Sequence, residues 1–414
     1  MTHRIRNDMK KKLRVGVIFG GRSGEHEVSL LSAASVLKAI DRTRYEVVPI
    51  GITKQGLWVV SSDAERLLAG EFPDPGPSAL RAGDPQHTAP AAVLAKGKGV
   101  IVPPMPAAGG GGGGSLVPFE REASSISPAH DVLQLDVVFP VLHGTFGEDG
   151  TMQGLFELAG LAYVGSGVLG SATGMDKEVM KRLFLAAKLP ITRHVTFLRR
   201  EWEQSRSKTI VKLETELKYP LFVKPANLGS SVGISKAHDR RELGPAIELA
   251  ASFDRKIVVE QAVGGRGSRT KMGKARELEV AVLGNDEPTA SVVGEIVPGK
   301  EFYDYEAKYL SEGSQAIIPA KLTKKQSKQV QEMALAAFRA CDCAGLARVD
   351  FLLEAGDSGR LYLNEINTMP GFTSISMYPK LWEASGMKYR DLISKLIELA
   401  LERKAEQEQI SYSR

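Results

Sequence analysis

The sequence predicts an α/β protein, α+β overall, with more than one domain. A chain of 414 residues is long for one hydrophobic core, so two or three domains are expected. Near the start, an apolar strand at 13–19 runs into a glycine-rich turn, and a helical pattern at 28–40 and a second strand at 45–52 follow. This alternation of strand, helix and strand predicts a first domain with a parallel sheet.

The rest of the chain mixes short strands with helices. A glycine-rich joint at 165–167 marks the expected end of the first domain. Further elements are predicted as a helix at 176–187, strands at 136–142, 194–198, 221–225, 256–260 and 278–284, and an amphipathic helix at 390–403. From 72 to about 130 the pattern dissolves, prolines are dense and glycines fill 109–114, so we expect a flexible surface insertion without packed structure.

The composition excludes several classes of protein. Hydrophobic residues make up 43% and charged residues 25% of the chain, as in ordinary globular proteins. A net charge of +5 suits binding of small anions but gives no strong case for nucleic acid. No run approaches the roughly 18 apolar residues of a transmembrane helix, and no signal peptide follows the basic leader. We therefore expect a cytoplasmic protein without nucleic-acid or membrane partners.

The two cysteines are predicted to be free thiols in the core. Cys341 and Cys343 lie two positions apart on a helix predicted at 329–344. Positions i and i+2 do not face each other on a helix, which argues against a metal pair.

The most informative stretch is a predicted hairpin, in which Arg348 and Asp350 on one strand are answered by Glu365 and Asn367 on the next. A turn centred at 357–358 places Asp350 opposite Glu365 and Arg348 opposite Asn367, with all four side chains on one face. Facing carboxylates repel across a ladder, so this arrangement is unfavourable for stability alone. Mg²⁺ takes oxygen ligands and shares them with phosphates. The hairpin therefore predicts a metal–phosphate site, with a surface hairpin of scattered charges as the less favoured alternative.

A second constellation is the strand ending in Lys224, followed by a loop of small residues at 226–233. Backbone N–H groups of such a loop can hold phosphate, with the lysine as a point charge. The lysine precedes the glycines, so this is not a Walker loop. The glycines at 20–21 do not have dinucleotide spacing, and no acidic residue ends the second strand, which argues against a nicotinamide-linked enzyme.

Four further positions stay open from the residues alone. Glu25 is either a first-turn acid that interacts with the helix dipole or an anion for an ammonium substrate. His143 follows a buried strand and is as readily structural as functional. The aromatic loop around Lys308 and Tyr309 is either surface packing or a lid that excludes water. Lys177, at the start of a helix, is ambiguous by itself.

In order along the chain, six segments closely resemble the D-alanine–D-alanine ligases, a branch of the ATP-grasp superfamily. They are GGRSGEHEVSL (20–30), LHGTFGEDGTMQG (142–154), GSGVLGSATGMDK (165–177), FVKPANLGSSVGISK (222–236), EFYDYEAKYL (301–310), and ARVDFLLE with NEINTMPGFTSISMYP (347–354 and 364–379). They span nearly the whole chain. The chain departs from the family pattern at 72–130 and 264–274, where it is longer.

The resemblance implies an ATP-grasp architecture of three domains. An N-terminal parallel α/β domain (1–165, with the insertion at 72–130) would precede two α+β domains that clamp ATP, a central one (166–262) and a C-terminal one (263–414) with the metal site and the lid loop. It also implies ligation of two D-alanine molecules through a D-alanyl phosphate, with release of ADP and phosphate, for peptidoglycan precursor synthesis, by a homodimer.

The family's nucleotide contacts can be carried over by position. Phosphates would be held by Lys177, Lys224 and the loop at Ser230 and Ser231, with Lys308 reaching the γ-phosphate from the lid. The adenine and ribose would be met by Glu260, the backbone of Ala262 and Val263, and Glu277, for which Glu279 is a rival.

The remaining implied roles concern metal ions and D-alanine. Two Mg²⁺ or Mn²⁺ ions would be bound by Asp350, Glu365 and Asn367, and Arg348 would stabilise the oxyanion. Glu25 would bind the ammonium of the first D-alanine and be linked through Ser230 to Tyr309. The second D-alanine would be seated by Ser376 and the backbone of Gly371, with His143 nearby.

Two alternatives remain beside this function. A D-alanine–D-lactate ligase is disfavoured by Tyr309, because ligases of that kind generally lack tyrosine at the matching lid position. A non-catalytic ATP-grasp binding protein would be expected to lose a metal ligand or the lid lysine, and this chain keeps them.

Overall fold

A computed structural model describes residues 12–61, 88–104, 114–118, 133–229, 231–264, 275–297, 315–354 and 359–411. The strands of these residues form three sheets that follow one another along the chain. Across the same residues, no helix is both long enough and apolar enough to cross a membrane. The predicted mixed α/β architecture is confirmed: the parallel strand pairs lie in the first sheet, and the strands of the second and third sheets pair antiparallel, beside an isolated parallel bridge between Ile191 and Leu363.

The first sheet is formed by β1 (Leu13–Gly20), β2 (Tyr45–Ile52), β3 (Trp58–Val60), β4 (Lys98–Ile101), β5 (Gly114–Pro118), β6 (Leu133–Leu135), β7 (Val137–Val141) and β8 (Ala162–Tyr163). β1 lies between β2 and β7 and is parallel to both, and β7 is parallel to β8. From β2 outward to β6 the pairing is antiparallel. The predicted strands at 13–19 and 45–52 and their parallel pairing are therefore confirmed.

The helices that follow in this part of the chain are α1 (His26–Ala39), α2 (Ala89–Lys96), α3 (Thr151–Leu158) and α4 (Val168–Met175). α1 makes the crossover between β1 and β2, and its apolar side chains are buried against the sheet. Parallel neighbours need such a crossover, and the turn at Gly20 and Gly21, with φ of +89° and +100°, leads directly into it.

The expectation of an unstructured insertion at 72–130 is wrong for the parts of it that the structure describes. Helix α2 begins at a cap in which Ala91 N–H donates to Thr88 Oγ1, and it buries Val93. Strands β4 and β5 bury Val100 and Leu116 and extend the first sheet. Each of these elements is short and buries only one or two large side chains, so their periodicity is too weak to find among the prolines and glycines.

The second part contains α5 (Lys177–Ala186), β9 (His194–Leu198), α6 (Arg199–Gln204), α7 (Arg206–Glu216), β10 (Leu221–Pro225), β11 (Ser235–Ala237), α8 (Arg240–Phe253) and β12 (Lys256–Gln261). Its strands pair antiparallel in the order β11-β10-β12-β9. Asp176 caps α5 by accepting from the backbone N–H groups of Glu178 and Val179.

The third part contains β13 (Arg276–Gly284), β14 (Thr289–Ala290), β15 (Gly294–Val297), β16 (Gln315–Ile317), α9 (Lys324–Ala340), β17 (Gly345–Leu353), β18 (Leu361–Asn367), α10 (Met377–Ala384) and α11 (Tyr389–Gln407). The main strand order is β16-β15-β13-β17-β18, and β14 pairs with β13. Met180 and Phe184 of α5 pack into the core of this sheet, so α5 joins the second and third sheets.

The helix predicted at 329–344 ends earlier than expected. α9 stops at Ala340, Cys341 is its C-cap, and Cys343 lies beyond it. Asp342 adopts a φ of +56°, which a continuing right-handed helix does not allow. Both cysteines are nevertheless buried and free, as predicted.

The hairpin of β17 and β18 has the predicted register at the four residues of the predicted metal–phosphate site. Arg348 pairs with Asn367 and Asp350 with Glu365. Beyond Asp350 the register shifts, because Phe351 pairs with Leu363 and leaves Asn364 as an extra residue. Such a bulge re-aims the side chains and carbonyls around it. The sequence pattern predicts the facing carboxylates but not this irregularity.

Candidate active site

Two cavities meet beside Arg348. The larger has about 1450 Å³ of open space and is bounded by the second and third sheets, with Lys224, Glu260 and Glu277 in its wall. The smaller has about 760 Å³ and lies against the first sheet's loops, with Glu25, His143 and Lys177 in its wall. Both are lined by Ser231, Ile234, Arg348 and Glu365.

In the larger cavity, Glu260 lies between two lysines. Its Oε2 is 3.1 Å from Lys224 Nζ and accepts from Thr192 Oγ1 at 3.3 Å, and its Oε1 is 3.1 Å from Lys181 Nζ. Lys224 faces Glu260 from the neighbouring strand β10, and Lys181 approaches from α5. Burial by itself would raise the pKa of Glu260, but the charges of Lys181 and Lys224 outweigh it and lower that pKa to about 2. The carboxylate is therefore ionised at neutral pH.

The strand that carries Glu260 continues into the predicted adenine-contacting backbone. Ala262 and Val263 line the larger cavity directly after β12. The backbone N–H of Ala262 donates to the carbonyl of Pro220 at 3.0 Å, which ties this segment to the start of β10. A planar ligand entering here would meet backbone that is already held in place.

The two glutamates proposed for the ribose differ in their contacts. Both Glu277 and Glu279 line the larger cavity. Glu279 is buried and its Oε2 is 3.1 Å from Arg348 Nε. Arg348 therefore engages Glu279, and the choice of Glu277 as the ribose partner stays a prediction.

Arg348 is held by two carboxylates. Its Nε and one terminal nitrogen donate to both oxygens of Asp350 at 2.8 and 2.7 Å, and Glu279 contacts it from β13. Burial would lower the pKa of Arg348, but Asp350 and Glu279 raise it above its usual value. The guanidinium is therefore a fixed positive charge at the junction of the two cavities.

The predicted metal ligands are close together but not arranged as a ready-made metal site. Asp350 and Glu365 face each other across the ladder, with Asn367 two residues beyond Glu365. Within the described ranges, no three His, Cys, Asp or Glu side chains come together as a metal-binding group. Asp350 is paired with Arg348, so a metal ion would share that carboxylate and complete its shell with Asn367 and phosphate oxygens. Hard oxygen donors of this kind suit Mg²⁺ or Mn²⁺.

The smaller cavity brings Glu25 and Glu148 together. Both carboxylates approach Gly229. A Cβ placed on this glycine would lie 3.0 Å from Glu25 Oε2 and 3.3 Å from Glu148 Oε1. Glu148 Oε1 accepts from the backbone N–H of Gly144 at 2.9 Å. Burial and the neighbouring charge of Glu25 raise the pKa of Glu148 to about 8. The charge of Lys177, in the wall of the same cavity, opposes part of this increase. Two acids beside one lysine suit a further cation, and the ammonium function of Glu25 stays a prediction.

Lys177 and His143 line the same cavity with their polar atoms engaged. Lys177 Nζ donates to the carbonyl of Leu228 at 2.7 Å, at the start of the small-residue loop. His143 Nδ1 is 3.1 Å from the carbonyl of Met369, and Nε2 is 3.1 Å from Ser32 Oγ. Burial lowers the pKa of His143 to about 4. The imidazole is therefore neutral at pH 7, with Nδ1–H donating and Nε2 accepting.

The predicted seat of the second D-alanine lies next to His143. Gly371 lines the smaller cavity, and a Cβ on it would be 3.2 Å from Ser376 Oγ. Ser376 precedes α10, and its hydroxyl accepts from the backbone N–H of Thr373 at 3.1 Å. Ser230, Lys308 and Tyr309 lie outside the described residues.

Two site residues were missed by the sequence analysis. Glu148 belongs to the motif at 142–154, but its meeting with Glu25 depends on the fold. Lys181 follows Lys177 by one helical turn, and that i, i+4 spacing was the available signal.

Comparison with known proteins assigns the family. Family models described as "D-ala D-ala ligase N-terminus" and "D-ala D-ala ligase C-terminus" match residues 14–166 and 183–398. A D-alanine–D-alanine ligase of Chloroherpeton thalassium is 48% identical over 398 residues, which cover 96% of this chain and 98% of that protein. One of Bacillus licheniformis is 45% identical over 406 residues, with 97% and 99% covered.

Solved structures agree with the sequence relatives. The D-alanine–D-alanine ligase from Coxiella burnetii is similar with a TM-score of 0.76 and 32% identity, with 96% of each chain covered. The VanG D-Ala:D-Ser ligase from Enterococcus faecalis is similar with a TM-score of 0.75 and 34% identity, with 94% of this chain and 100% of that chain covered. The chain therefore belongs to the D-alanine–D-alanine ligase family.

Proposed function

We propose that this protein ligates two D-alanine molecules to D-alanyl-D-alanine with ATP as the energy source, for peptidoglycan precursor synthesis. The observation that carries the proposal is the position of Arg348 in the wall of both cavities. One cavity gathers lysines and a buried carboxylate suited to a nucleotide, and the other gathers acids suited to an ammonium group. Membership of the ligase family supports the same chemistry.

We assign the larger cavity to ATP. Lys224 and Ser231, with Lys177 from the wall of the smaller cavity, would bind the phosphates, because cations and backbone N–H groups stabilise them. The adenine amino group would donate to Glu260, beside the backbone of Ala262 and Val263. Glu277 would accept from the ribose, and Lys308 of the lid would reach the γ-phosphate.

We assign two Mg²⁺ or Mn²⁺ ions to Asp350, Glu365 and Asn367. When bound, such ions would neutralise phosphate charge and help to orient the γ-phosphoryl group. The protein's own contribution is to hold two carboxylates face to face, with Arg348 compensating Asp350.

We assign the smaller cavity to D-alanine. Glu25 would bind the first ammonium group, linked through Ser230 to Tyr309. Ser376 and the backbone of Gly371 would seat the second D-alanine. His143, whose ring is fixed by Ser32 and Met369, would shape this seat as a neutral group.

The reaction would proceed in two steps at the junction of the cavities. A carboxylate oxygen of the first D-alanine attacks the γ-phosphorus, and ADP leaves. The amine of the second D-alanine then attacks the acyl carbon and forms the peptide bond as the bond between the acyl carbon and the phosphate oxygen breaks. The proton that the amine loses leaves with phosphate. We assign stabilisation of the oxyanion of that second step to Arg348, which lines both cavities. Acyl phosphates hydrolyse readily, so the lid would serve to exclude water.

The test is ADP release coupled to product analysis. The purified protein is given Mg²⁺-ATP with D-alanine, with L-alanine, and with D-alanine plus D-lactate or D-serine. ADP formed with D-alanine together with the dipeptide is the expected result. D-serine is included because a similar solved structure is named a D-Ala:D-Ser ligase. Absence of ADP under all these conditions, despite ATP binding, would refute the substrate assignment.

We further propose three domains that correspond to the three sheets, with boundaries near residues 165 and 262. The family resemblance implies a homodimer, which sedimentation of the purified protein would test. Because the reaction consumes ATP, we propose the cytoplasm as its location.

A further inference from the structure

We propose that Lys181 is a positioning residue for nucleobase selection: it holds the carboxylate of Glu260 against the larger cavity and so leaves Lys224 available for phosphate. The inference rests on the proposed function, because it takes Glu260 as the acceptor for the adenine amino group. None of the roles carried over from the family falls on Lys181.

Lys181 lies behind the wall of the larger cavity. Its side chain is 1% exposed, and its Nζ lies 3.1 Å from Glu260 Oε1. Its Nζ also donates a long hydrogen bond of 3.5 Å to the carbonyl of Asn364, at the bulge of β18. Glu260, Lys224 and Thr192 line the cavity, whereas Lys181 is buried behind them. Lys181 therefore acts on a ligand through Glu260.

The carboxylate of Glu260 is shared by two lysines. Lys181 is nearest to Oε1, and Lys224 is nearest to Oε2. A phosphate that enters the cavity can attract Lys224, which faces the open space. A buried carboxylate that loses its partner is strongly destabilised. Lys181 removes this conflict, because Glu260 keeps one buried cation when Lys224 turns to phosphate.

Glu260 can offer an acceptor to a ligand through Oε2, the oxygen nearest to the cavity-lining Lys224 and Thr192. When Lys224 turns to phosphate, Oε2 loses that cation and regains acceptor capacity, while Oε1 stays held by Lys181. A buried acceptor that has lost a partner calls for a new donor. A 6-aminopurine supplies an N–H donor at the matching position, whereas a 6-oxopurine presents a second acceptor. The carboxylate therefore favours ATP over ITP for as long as it stays charged and in place.

Removal of Lys181 should weaken that preference. In Lys181→Met, Glu260 would retain Lys224 at the expense of phosphate, or would bind a proton and become able to donate to a 6-oxo group. Hydrogen bonds to charged groups change affinity by roughly 10- to 150-fold. We expect the affinity for ATP and the preference for ATP over ITP each to fall by about tenfold or more.

The experiment is calorimetric binding of ATP and ITP to the full chain without D-alanine. The matched control is Lys256→Met. Lys256 is half-buried on the same strand as Glu260, and it is paired with Asp176 and Glu178 at the start of α5. It should cost stability and leave the ratio of the two affinities unchanged. A folded Lys181→Met protein with the ratio of the unmodified protein would overturn the proposal.

A double variant separates a positioning role from a direct one and protects against misfolding. Lys181→Met combined with Glu260→Gln leaves no uncompensated carboxylate, and its ATP-to-ITP ratio should equal that of Glu260→Gln alone. A further drop in the ratio would show that Lys181 acts without Glu260 and would overturn the proposal. Because binding is measured without D-alanine, failure of the ligase function leaves this outcome readable.

Discussion

The two cavities beside Arg348 place their carboxylates in opposite electrostatic settings. Glu260 in the larger cavity lies between Lys181 and Lys224, which lower its pKa to about 2. Glu148 in the smaller cavity lies near Glu25, and burial together with that charge raises its pKa to about 8. Glu260 has two lysines beside one carboxylate, whereas the smaller cavity has one lysine, Lys177, beside two crowded acids, Glu25 and Glu148. A carboxylate held by two cations can still accept from a neutral donor, whereas two neighbouring acids are stabilised by an additional cation. The difference predicts which half of the site receives adenine and which receives an ammonium group.

The largest effect is expected at the residue that both cavities share. Arg348→Lys keeps a positive charge near Asp350 and Glu279 but loses the two-pronged geometry. We expect kcat to fall on the order of 100- to 1,000-fold, as when one oxyanion donor is removed. Steady-state ADP release with saturating D-alanine measures this. Arg348→Ala should abolish turnover as well, with an added loss of stability, because Asp350 and the buried Glu279 would lose the guanidinium that they contact.

The control for Arg348 is Arg276→Lys. Arg276 forms a similar two-pronged pair with Glu295 on the same sheet, at 2.8 and 2.7 Å. It lies outside both cavities, so turnover should stay within about twofold of the unmodified protein, as for residues distant from the chemistry. Near-normal kcat in Arg348→Lys would contradict the oxyanion role of Arg348 and its proposed action at the junction of the two cavities.

The second effect should be confined to the smaller cavity. Glu25→Gln removes the charge proposed to bind the first ammonium group, and we expect KM for D-alanine to rise by roughly 10- to 150-fold. ATP affinity, measured by calorimetry, should not change. Glu27→Gln is the control, since Glu27 is on the same helix but is paired with Lys54 at the surface. Equal loss of ATP and D-alanine affinity in Glu25→Gln would mean that the cavities are not separate.

The third effect concerns stability and its dependence on pH. Since the folded protein raises the pKa of Glu148 from 4.5 to about 8, the folded state binds more protons than the unfolded state between these values. Glu148 therefore stabilises the fold least at high pH, and stability from this group is lost as pH rises from about 4.5 to 8. The stability gained by Glu148→Gln should increase with pH, on the order of 1 kcal/mol per pH unit.

Denaturant unfolding at pH 5, 6.5 and 8 without substrates would measure that trend. In a Glu25→Gln background the slope should be smaller, because the charge of Glu25 is one cause of the raised pKa. A stability difference that stays constant with pH would contradict the crowded-acid description of the smaller cavity.

The sequence predicts the hairpin better than the cavities. Alternation with period two and a central turn are enough to bring Asp350 opposite Glu365. The bulge at Asn364 is not visible in that pattern, because an extra residue in one strand changes the register without changing composition. Local periodicity therefore predicts local pairing, and irregularities in pairing depend on the packing around it.

Charge partners that are distant in sequence could not be predicted. The i, i+4 spacing places Lys181 on the same helix face as Lys177, but lysine is almost never fully buried unless it is paired, and the spacing does not identify Glu260 as its partner. Its burial follows from α5, where Met180 and Phe184 pack into the third sheet and turn Lys181 toward Glu260. Strands β4 and β5 were not predicted either. Each contributes a single fully buried apolar side chain, Val100 or Leu116, to a large core, and one such side chain gives no periodicity.

The smallest effect should come from the hydrogen bond that fixes His143. Ser32→Ala removes the hydroxyl that lies 3.1 Å from Nε2 and leaves a buried acceptor without its donor, at a cost of about 1 kcal/mol in the free energy of unfolding. KM for D-alanine should rise only slightly and ATP affinity should not change, because His143 stays neutral with its pKa near 4. The control is Ser35→Ala on the same helix. Among the described residues, the Ser35 hydroxyl donates only to the carbonyl of Leu31, one turn earlier. Such back-bonding competes with the helix, and alanine has the higher helix propensity, so Ser35→Ala should be neutral or stabilising. Equal loss of stability in both variants would show that the bond to His143 contributes nothing specific to the smaller cavity.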